Sequence, residues 1–285
     1  MTAGEQAAVR AADAGTPVDP FAPDREPAWR WLHHLNPVAK LAAPLPVMVA
    51  VVFSDGIAVP AAFAVFGLLV LFSGARMPWR IGLALVVGIP LVAALLGITI
   101  GVWVDPARVG DVPGADVVLA RIGDLRFTAA MYLVGLATAA RLAALLVLAL
   151  IAGMTATGPE LVRAAVQTLR VPYRIGYTAL AAYRFVPRFG HELEVIRAAH
   201  RVRGTDAGRG PAAAVRRWFG YAVPLLASAI RHAERVALAM DARAFGAHPT
   251  RTERHPVPWR TRDWVFIALF WAASVAVWWL AASIA

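Results

Sequence analysis

Residues 81–104 read IGLALVVGIPLVAALLGITIGVWV and contain no charged side chain. A helix crosses the hydrocarbon core of a bilayer with about 20 apolar residues, and this run is long enough to do so. Residues 57–75 and 264–285 are equally free of charge, and residues 127–154 are interrupted only by Arg141. These four runs predict an all-α membrane protein.

The composition of the whole chain supports the same prediction. Hydrophobic residues make up 59% of the sequence and charged residues only 16%. A soluble domain has roughly 45–50% apolar and about 25% charged residues. The chain contains no cysteine, which excludes disulfides and thiolate metal sites.

A fifth apolar run, residues 41–54, is shorter and contains Pro44 and Pro46. Alone it could be a re-entrant segment, but together with the residues from Asn36 onward it predicts a kinked first span. Membrane helices tolerate proline because neighbouring helices satisfy the freed carbonyl groups. We therefore expect about five transmembrane helices, preceded by a disordered cytoplasmic tail, residues 1–30, that lacks the apolar core of a cleaved signal.

The distribution of positive charge predicts the orientation. Residues 76–80 are basic, residues 105–126 mix both signs, and residues 155–262 carry most of the net charge of +10. Positive loops face the cytoplasm. This places residues 155–262 and the N-terminal tail in the cytoplasm of a multi-pass protein of the cell membrane.

The predicted organisation has three parts after the tail. Residues 31–154 hold the first four spans, residues 155–260 form a cytoplasmic coupling region, and residues 261–285 form the last span. The middle part is too long for a structureless connection. We expect one short helix in it, capped by Thr157, and two long helices, over residues 173–203 and 211–243.

Both long helices carry an apolar stripe at helical spacing. In the first, the stripe comprises Phe185, Phe189, Leu193, Ile196 and Ala199. In the second, it comprises Val215, Phe219, Ala222, Leu226, Ala229, Ala233, Val236 and Met240. Pro187 and Pro224 are expected to bend or break the helices. The stripes could pack on each other, on the membrane helices or on another protein.

An arginine ends each stripe. Arg203 lies seven residues after Ile196, and Arg243 lies seven after Val236. A single arginine there would be explained by the negative end of the helix dipole. Two at matched positions favour an interface, because the planar guanidinium forms paired hydrogen bonds to carboxylate or backbone groups.

Residues 197–206, RAAHRVRGTD, and residues 237–246, ALAMDARAFG, resemble the two Ala-Arg-Gly motifs of the T component of energy-coupling factor (ECF) transporters. The resemblance implies that each motif ends a cytoplasmic coupling helix whose arginine docks in one of two ABC-type ATPases, and that the two helices cross. It assigns ATPase coupling to Arg203, Gly204, Ala242 and Arg243. Val202 and Ala244 depart from the motifs, where the family has alanine and glycine.

Other stretches extend the resemblance over nearly all of residues 34–246. HLNPVAKL, residues 34–41, is similar to the family's Asp-Pro-x-x-Lys-Leu entry to its first span, with Asn36 in place of aspartate. The resemblance implies the transmembrane scaffold of an ATP-driven importer. Such a subunit joins two ATPases to a small substrate-binding membrane subunit that takes up a vitamin, a cofactor precursor or a transition-metal ion.

Arg141 lies near the middle of its predicted span, where a charge costs about 2.5–3.5 kcal/mol. The other predicted spans contain no acidic residue. The partner of the Arg141 side chain would therefore be a carbonyl group, the aqueous end of the span or another subunit. We favour a structural role for Arg141, supporting the coupling helices together with Pro187 and Pro224.

Several functions are disfavoured by the motifs. The sequence has no P-loop, so this chain is not expected to bind ATP, and the resemblance implies that partner subunits hydrolyse it. We expect no catalytic residues or cofactor in this chain. The seven histidines show no ligand spacing, which predicts no metal site. The basic region lacks the interleaved aromatic residues of a nucleic-acid site, so the bilayer is the expected anionic partner. The alternatives are a membrane enzyme acting on a lipid or phosphorylated substrate and a stand-alone carrier.

Overall fold

The computed structural model describes most of the chain. The described residues are 29–105, 109, 114, 117–122, 125–204, 210–248, 252–253 and 255–283. The predicted disordered tail lies outside them except for Trp29 and Arg30.

The described residues are predominantly helical, as predicted. A 3₁₀ turn at Trp31–His34 precedes the first α-helix. The helices and strands are α1 (Pro37–Ala42), α2 (Pro44–Val52), α3 (Ala58–Gly74), α4 (Trp79–Gly101), β1 (Val118–Ile122), β2 (Leu125–Thr128), α5 (Ala129–Thr155), α6 (Gly158–Thr168), α7 (Tyr173–Val202), α8 (Pro211–Asp241) and α9 (Thr261–Ala282).

Within the described residues, α4, α5 and α9 are long and apolar enough to cross a membrane, by length and composition. The apolar helices α1–α2 and α3 occupy the other two predicted spans but are shorter. The all-α membrane fold is therefore confirmed, with three full-length spans and two short apolar segments among the described residues.

The first apolar segment is divided into two helices at Pro44. Asn36 caps α1 by accepting a hydrogen bond from the Val38 amide at 2.9 Å, and Pro37 occupies the first helical position. α1 ends at Ala42, Ala43 lies between the two helices, and α2 begins with Pro44. Because proline lacks an amide hydrogen and clashes with the preceding turn, the chain starts a new helix there.

α3, α5 and α9, together with the 3₁₀ turn, α1 and α2, form the main core of the membrane bundle. Phe63 and Leu71 of α3, Leu148 of α5, and Phe266 and Phe270 of α9 are buried in one apolar cluster. α4 packs on α5, and one of its faces has exposed apolar side chains, namely Leu83, Val87, Leu91 and Leu95. Exposed leucine and valine along a span are what a helix facing lipid requires.

α4 and α5 approach closely through glycine. A Cβ atom placed on Gly135 would overlap the Gly97 carbonyl oxygen and lie 2.6 Å from the Gly101 nitrogen. Gly97 and Gly101 are four residues apart and so share one face of α4. Small residues at this spacing let membrane helices pack backbone to backbone.

A short β-hairpin joins these two helices, which the sequence did not lead us to expect. β1 and β2 pair antiparallel, with Arg121 opposite Arg126 and Ala120 opposite Phe127. Thr128 then caps α5 by accepting from the Met131 amide at 3.4 Å. The hairpin leads into the start of α5 and α6 follows its end, so the hairpin and α6 lie at opposite ends of α5.

Four buried polar residues form what we call the buried polar cluster: Asn36, Lys40, Thr155 and Asp263. Asp263 accepts from the Asn36 amide and from the Arg260 amide, each at 2.7 Å. Lys40 donates to the Thr155 carbonyl at 2.7 Å. The cluster joins the start of α1, the end of α5 and the start of α9.

Candidate functional site

The cap of α6 confirms the predicted role of Thr157. Its hydroxyl accepts from the Glu160 amide at 3.4 Å, and the Glu160 carboxylate accepts from the Thr157 amide at 3.1 Å. This reciprocal arrangement is a capping box, which satisfies two donors that a helix start would otherwise leave unpaired. α6 therefore begins at Gly158, with only Ala156 and Thr157 between it and the end of α5.

α6 connects the long helices to the bundle. It packs against α1 on one side and α7 on the other. Gly176 of α7 is buried, and a Cβ atom there would overlap the Val166 side chain. The Gln167 side chain donates to the His255 carbonyl at 3.1 Å and accepts from the Val257 amide at 2.6 Å. The base of α7 is thus fixed to the segment that leads into α9.

α7 and α8, which we call the two arms, run antiparallel. Residues near the end of α7 contact residues near the start of α8, and residues near the start of α7 contact residues toward or just after the end of α8. The pairs are His200 with Tyr221 (ring centroids 5.1 Å apart), Glu192 with Ser228 (3.1 Å), Phe185 with His232 (ring centroids 3.9 Å apart) and Arg174 with Gly246 (2.6 Å). The two long helices that the sequence predicts are therefore present and in contact, and their coupling role stays a prediction.

The middle contact of the arms contains a histidine. Desolvation against Phe185, together with the charges of Arg188 and Arg235, lowers the pKa of His232 below its usual value. An imidazole with a lowered pKa is neutral at pH 7. It packs on the phenylalanine ring without bringing a third positive charge between two arginines.

The two apolar stripes differ in their surroundings. Phe185, Phe189, Leu193 and Ile196 of α7 are half-buried. Of the predicted α8 stripe, only Ala222, Ala229, Val236 and Met240 are half-buried, whereas Val215, Phe219, Leu226 and Ala233 are exposed. We define the outer face of α8 as Val215, Phe219, Val223, Leu226 and Ile230, whose side chains are 52–73% exposed. Part of the predicted α8 stripe therefore does not pack on α7.

The two predicted arginines lie at the ends of the arms. Arg203 is the C-cap of α7, and Gly204 after it has a φ of +70°. Arg243 directly follows Ala242, the C-cap of α8, and Ala244 after it has a φ of +55°. Both arginines are exposed, and neither side chain forms a hydrogen bond or ion pair with a residue that the structure describes.

Both arms therefore end in the same local geometry, with a left-handed residue directly after the arginine. Ala244, where the family motif has glycine, adopts the same left-handed conformation as Gly204. The Phe245 amide donates to the Met240 carbonyl at 3.0 Å, which closes the end of α8. Alanine adopts this conformation at an energetic cost that glycine does not have.

We expect Ala244→Gly to stabilise the end of α8 by about 0.5–1 kcal/mol, because it removes the strain of the left-handed alanine. Ala239→Gly, at an exposed position inside the same helix, should instead destabilise it by about 1 kcal/mol. Amide hydrogen exchange over residues 238–246 measures both effects. A loss of protection in Ala244→Gly as large as in Ala239→Gly would show that residue 244 is not left-handed.

The two arginines lie at opposite ends of the arm pair. Phe245 packs on the Tyr173 ring with centroids 5.7 Å apart, so Arg243 lies beside the start of α7. Arg203 lies at the other end of α7, which has 30 residues. At 1.5 Å per residue the arginines are separated by about 45 Å along the helix.

The arms continue through their prolines without a break. Pro187 and Pro224 both lie inside helices that the structure describes as uninterrupted. Each proline removes only one hydrogen bond, to the residue four positions earlier. Those residues, Tyr183 and Gly220, are exposed, so water can donate to the freed carbonyl groups. A role of these prolines in supporting the arms stays a prediction.

Arg141 has a carbonyl partner, which is one of the three alternatives that its position left open. Its Nε and Nη2 atoms donate to the Ser54 carbonyl at 3.0 and 2.7 Å. This contact joins α5 to the connection between α2 and α3, and not to an arm. The predicted role of Arg141 in supporting the arms therefore also stays a prediction.

The buried polar cluster was missed as a site by sequence reasoning. Asn36 and Lys40 lie in the stretch that resembles the family's first span, but nothing in the sequence joined them to Asp263. Among the described residues, no group of three or more His, Cys, Asp or Glu side chains could hold a metal ion.

The fold and the site define a class: an all-α integral membrane protein that carries a pair of antiparallel amphipathic arms. Residues 28–256 match the family model CbiQ, described as cobalt transport protein. The chain therefore belongs to this family of transmembrane components of ECF transporters. A membrane enzyme acting on a lipid or phosphorylated substrate is not favoured by this match.

Curated relatives agree with the family. The chain is similar to the energy-coupling factor transporter transmembrane protein EcfT of Thermotoga maritima, with 32% identity over 133 residues, covering 44% of this chain and 49% of the relative. It is 34% identical to EcfT of Exiguobacterium sibiricum, covering 39% and 43%. It is 37% identical to EcfT of Heliobacterium modesticaldum, covering 29% and 32%. The chain thus spans half or less of the length of these relatives.

Proposed function

We propose that this chain is the transmembrane scaffold and coupling subunit of an ATP-driven ECF-type importer. It links two ABC-type ATPases to a small substrate-binding membrane subunit, for uptake of a vitamin, a cofactor precursor or a transition-metal ion. The observation that carries the proposal is the placement of two exposed arginines, Arg203 and Arg243, at opposite ends of the arm pair.

The separation of the arginines supports one ATPase at each of them. The distance of about 45 Å along α7 exceeds the roughly 30 Å diameter of a small domain. A single docking groove therefore does not reach both tips. Each guanidinium is a planar fork of donors that suits carboxylate or backbone oxygens in a groove. Gly204 and Ala244 turn the chain away directly after the arginine, which leaves the side chain at the extremity.

The chain contributes no catalytic group to ATP hydrolysis in this proposal, since the partner ATPases perform it. ATP binding would bring the ATPases together and move the arm ends that they hold. Because Gly176 packs directly on α6 and Gln167 binds the segment before α9, displacement of the arms passes to the bundle as movement of packed helices. In this proposal the arms lie on the cytoplasmic side of the cell membrane, which the positive charge of residues 155–262 supports.

The outer face of α8 is the surface we assign to the substrate-binding membrane subunit. Its five large apolar side chains are exposed and share one side of the helix. A contiguous apolar surface of this kind marks a protein–protein or membrane interaction site. The partner that transports the solute is itself a membrane protein, so an apolar surface on it is available to pack there.

Charge reversal of both tips tests the proposal. Arg203→Glu combined with Arg243→Glu is expected to leave the chain inserted in the membrane but to abolish its co-purification with coexpressed ATPase subunits. Each single variant should retain one contact and lose part of the bound ATPase. The measurement is the stoichiometry of ATPase to membrane subunit in the purified complex.

A matched double variant controls for the change in charge. Arg188→Glu with Arg231→Glu alters the same two arms by the same charge, at exposed positions away from the two tips. It should retain the ATPases. Full recovery of the complex in the Arg203→Glu, Arg243→Glu protein would contradict the proposal.

A further inference from the structure

An open groove of about 730 Å³ lies between the 3₁₀ turn, α3 and α9. Its floor is aromatic: the Phe66 and Phe270 rings are 5.2 Å apart, and the Trp31 and Phe266 rings are 5.6 Å apart. Its volume lies within the range of about 300–1,000 Å³ that is usual for ligand sites. The groove is outside the arms and has no part in the proposed coupling.

The groove runs along α9 for the depth of one lipid leaflet. Arg262 lines one end and Ala273 the other, eleven residues further along the helix. At 1.5 Å per residue this is about 16 Å, and half of a hydrocarbon core of about 30 Å is about 15 Å. Val265 and Leu269 on its wall are 50% and 65% exposed, in a helix that is long and apolar enough to span the membrane.

The end of the groove at Arg262 is cationic and lies at the boundary of the apolar region. Arg262 is exposed and forms no hydrogen bond or ion pair with any residue that the structure describes. Next to it, the Trp259 and Trp264 rings meet edge to face with centroids 5.4 Å apart. Tryptophan at a span end marks the interface between lipid and water.

His34 also lines this end of the groove. The Asp263 carboxylate lies in the same helical turn as Arg262, but it is fully buried and accepts hydrogen bonds from two backbone amides. It is therefore directed away from the groove. The charge that the groove presents at this end is positive.

We propose that this groove binds one phospholipid with an anionic headgroup. The phosphate is held by the Arg262 guanidinium, with His34 beside it, and an acyl chain lies along the aromatic floor toward Ala273. A cation at the interface and an apolar channel one leaflet deep match the two parts of a phospholipid. The exposed wall at Val265 and Leu269 lies where lipid surrounds the protein, which favours lipid over a protein segment as the occupant.

The test measures lipid retention by the full chain with native mass spectrometry. The purified protein is exchanged into detergent containing phosphatidylglycerol or phosphatidylcholine, and inorganic phosphate is added in a third arm. We expect one tightly retained lipid, with phosphatidylglycerol preferred by about fivefold, the effect of one cation near an anionic headgroup. Inorganic phosphate should not displace it, because phosphate lacks the acyl chain.

Variants at two positions separate the parts of the groove. Arg262→Ala should remove the preference for phosphatidylglycerol, and Arg262→Gln should do the same with less change in size. Ala273→Trp should reduce retention of both lipids by filling the apolar end. Arg80→Ala, which removes an exposed arginine from the first turn of α4, should leave both unchanged.

Three results would overturn the proposal. They are equal retention of the two lipids by the unmodified protein, an unchanged preference in both Arg262 variants, and displacement of the lipid by inorganic phosphate alone. Crosslinks from a photoreactive group at residue 269 to another subunit, in place of lipid, in the assembled complex would assign the groove to a protein partner instead.

Discussion

Gly135→Ala is expected to prevent α4 and α5 from packing at their present distance. The added Cβ atom would overlap the Gly97 carbonyl oxygen and lie 2.6 Å from the Gly101 nitrogen. These are backbone atoms of a long helix, so the overlap is relieved only by moving the whole helix. Overpacking of a well-packed site costs about 1–3 kcal/mol, and more where the neighbour is backbone.

The measurement is the thermal stability of the purified protein in detergent. Gly153→Ala is the matched control, because Gly153 lies in the same helix and a Cβ atom there meets nothing within 4 Å. The control should be neutral or slightly stabilising, since glycine inside a helix is less stable than alanine by about 0.5–1 kcal/mol. If the two variants are equally stable, the helices do not pack backbone to backbone at this position.

Asp263→Asn is expected to destabilise the bundle by about 1–3 kcal/mol. The carboxylate accepts hydrogen bonds from two backbone amides, those of Asn36 and Arg260, and is fully buried. An asparagine has one oxygen and one NH₂ group in the same space, so one backbone amide would face a donor instead of an acceptor. A buried donor without a partner carries the full penalty of desolvation.

The loss is expected to appear in two measurements. The denaturation midpoint should fall, and amide exchange at residues 36 and 260 should become faster than in the unmodified protein. Asp55→Asn serves as the control, because Asp55 is exposed in the connection between α2 and α3. A midpoint for Asp263→Asn equal to that of the control would mean that the carboxylate does not hold the two segments together.

The membrane helices could be predicted from the sequence because each is encoded locally. A run without charge, such as residues 81–104, becomes a span wherever it is placed, and α4 covers Trp79–Gly101. The arms were predicted equally closely, since Pro172 and Pro211 mark where α7 and α8 begin. The exposure of the outer face of α8 was not predictable, because periodicity identifies an apolar side and not its partner.

The remaining features depend on contacts between distant residues. Asn36 and Asp263 are 227 positions apart, and no local pattern indicates that they meet. The close packing of α4 and α5 was different, because the spacing of Gly97 and Gly101 is a known signal of helix contact in membranes that we did not use. The β-hairpin was missed because residues 105–126 were considered only for their charge.

The roles of the arm ends remain predictions, and the structure adds a mechanical asymmetry to them. Arg243 lies beside the base of α7, where Phe245 packs on Tyr173, whereas Arg203 lies about 45 Å further out. An equal force at the two positions exerts a much larger torque about that base when it acts on Arg203. We therefore expect the ATPase that we propose to bind at Arg203 to supply most of the rotation of the arms, even if the two ATPases are chemically identical.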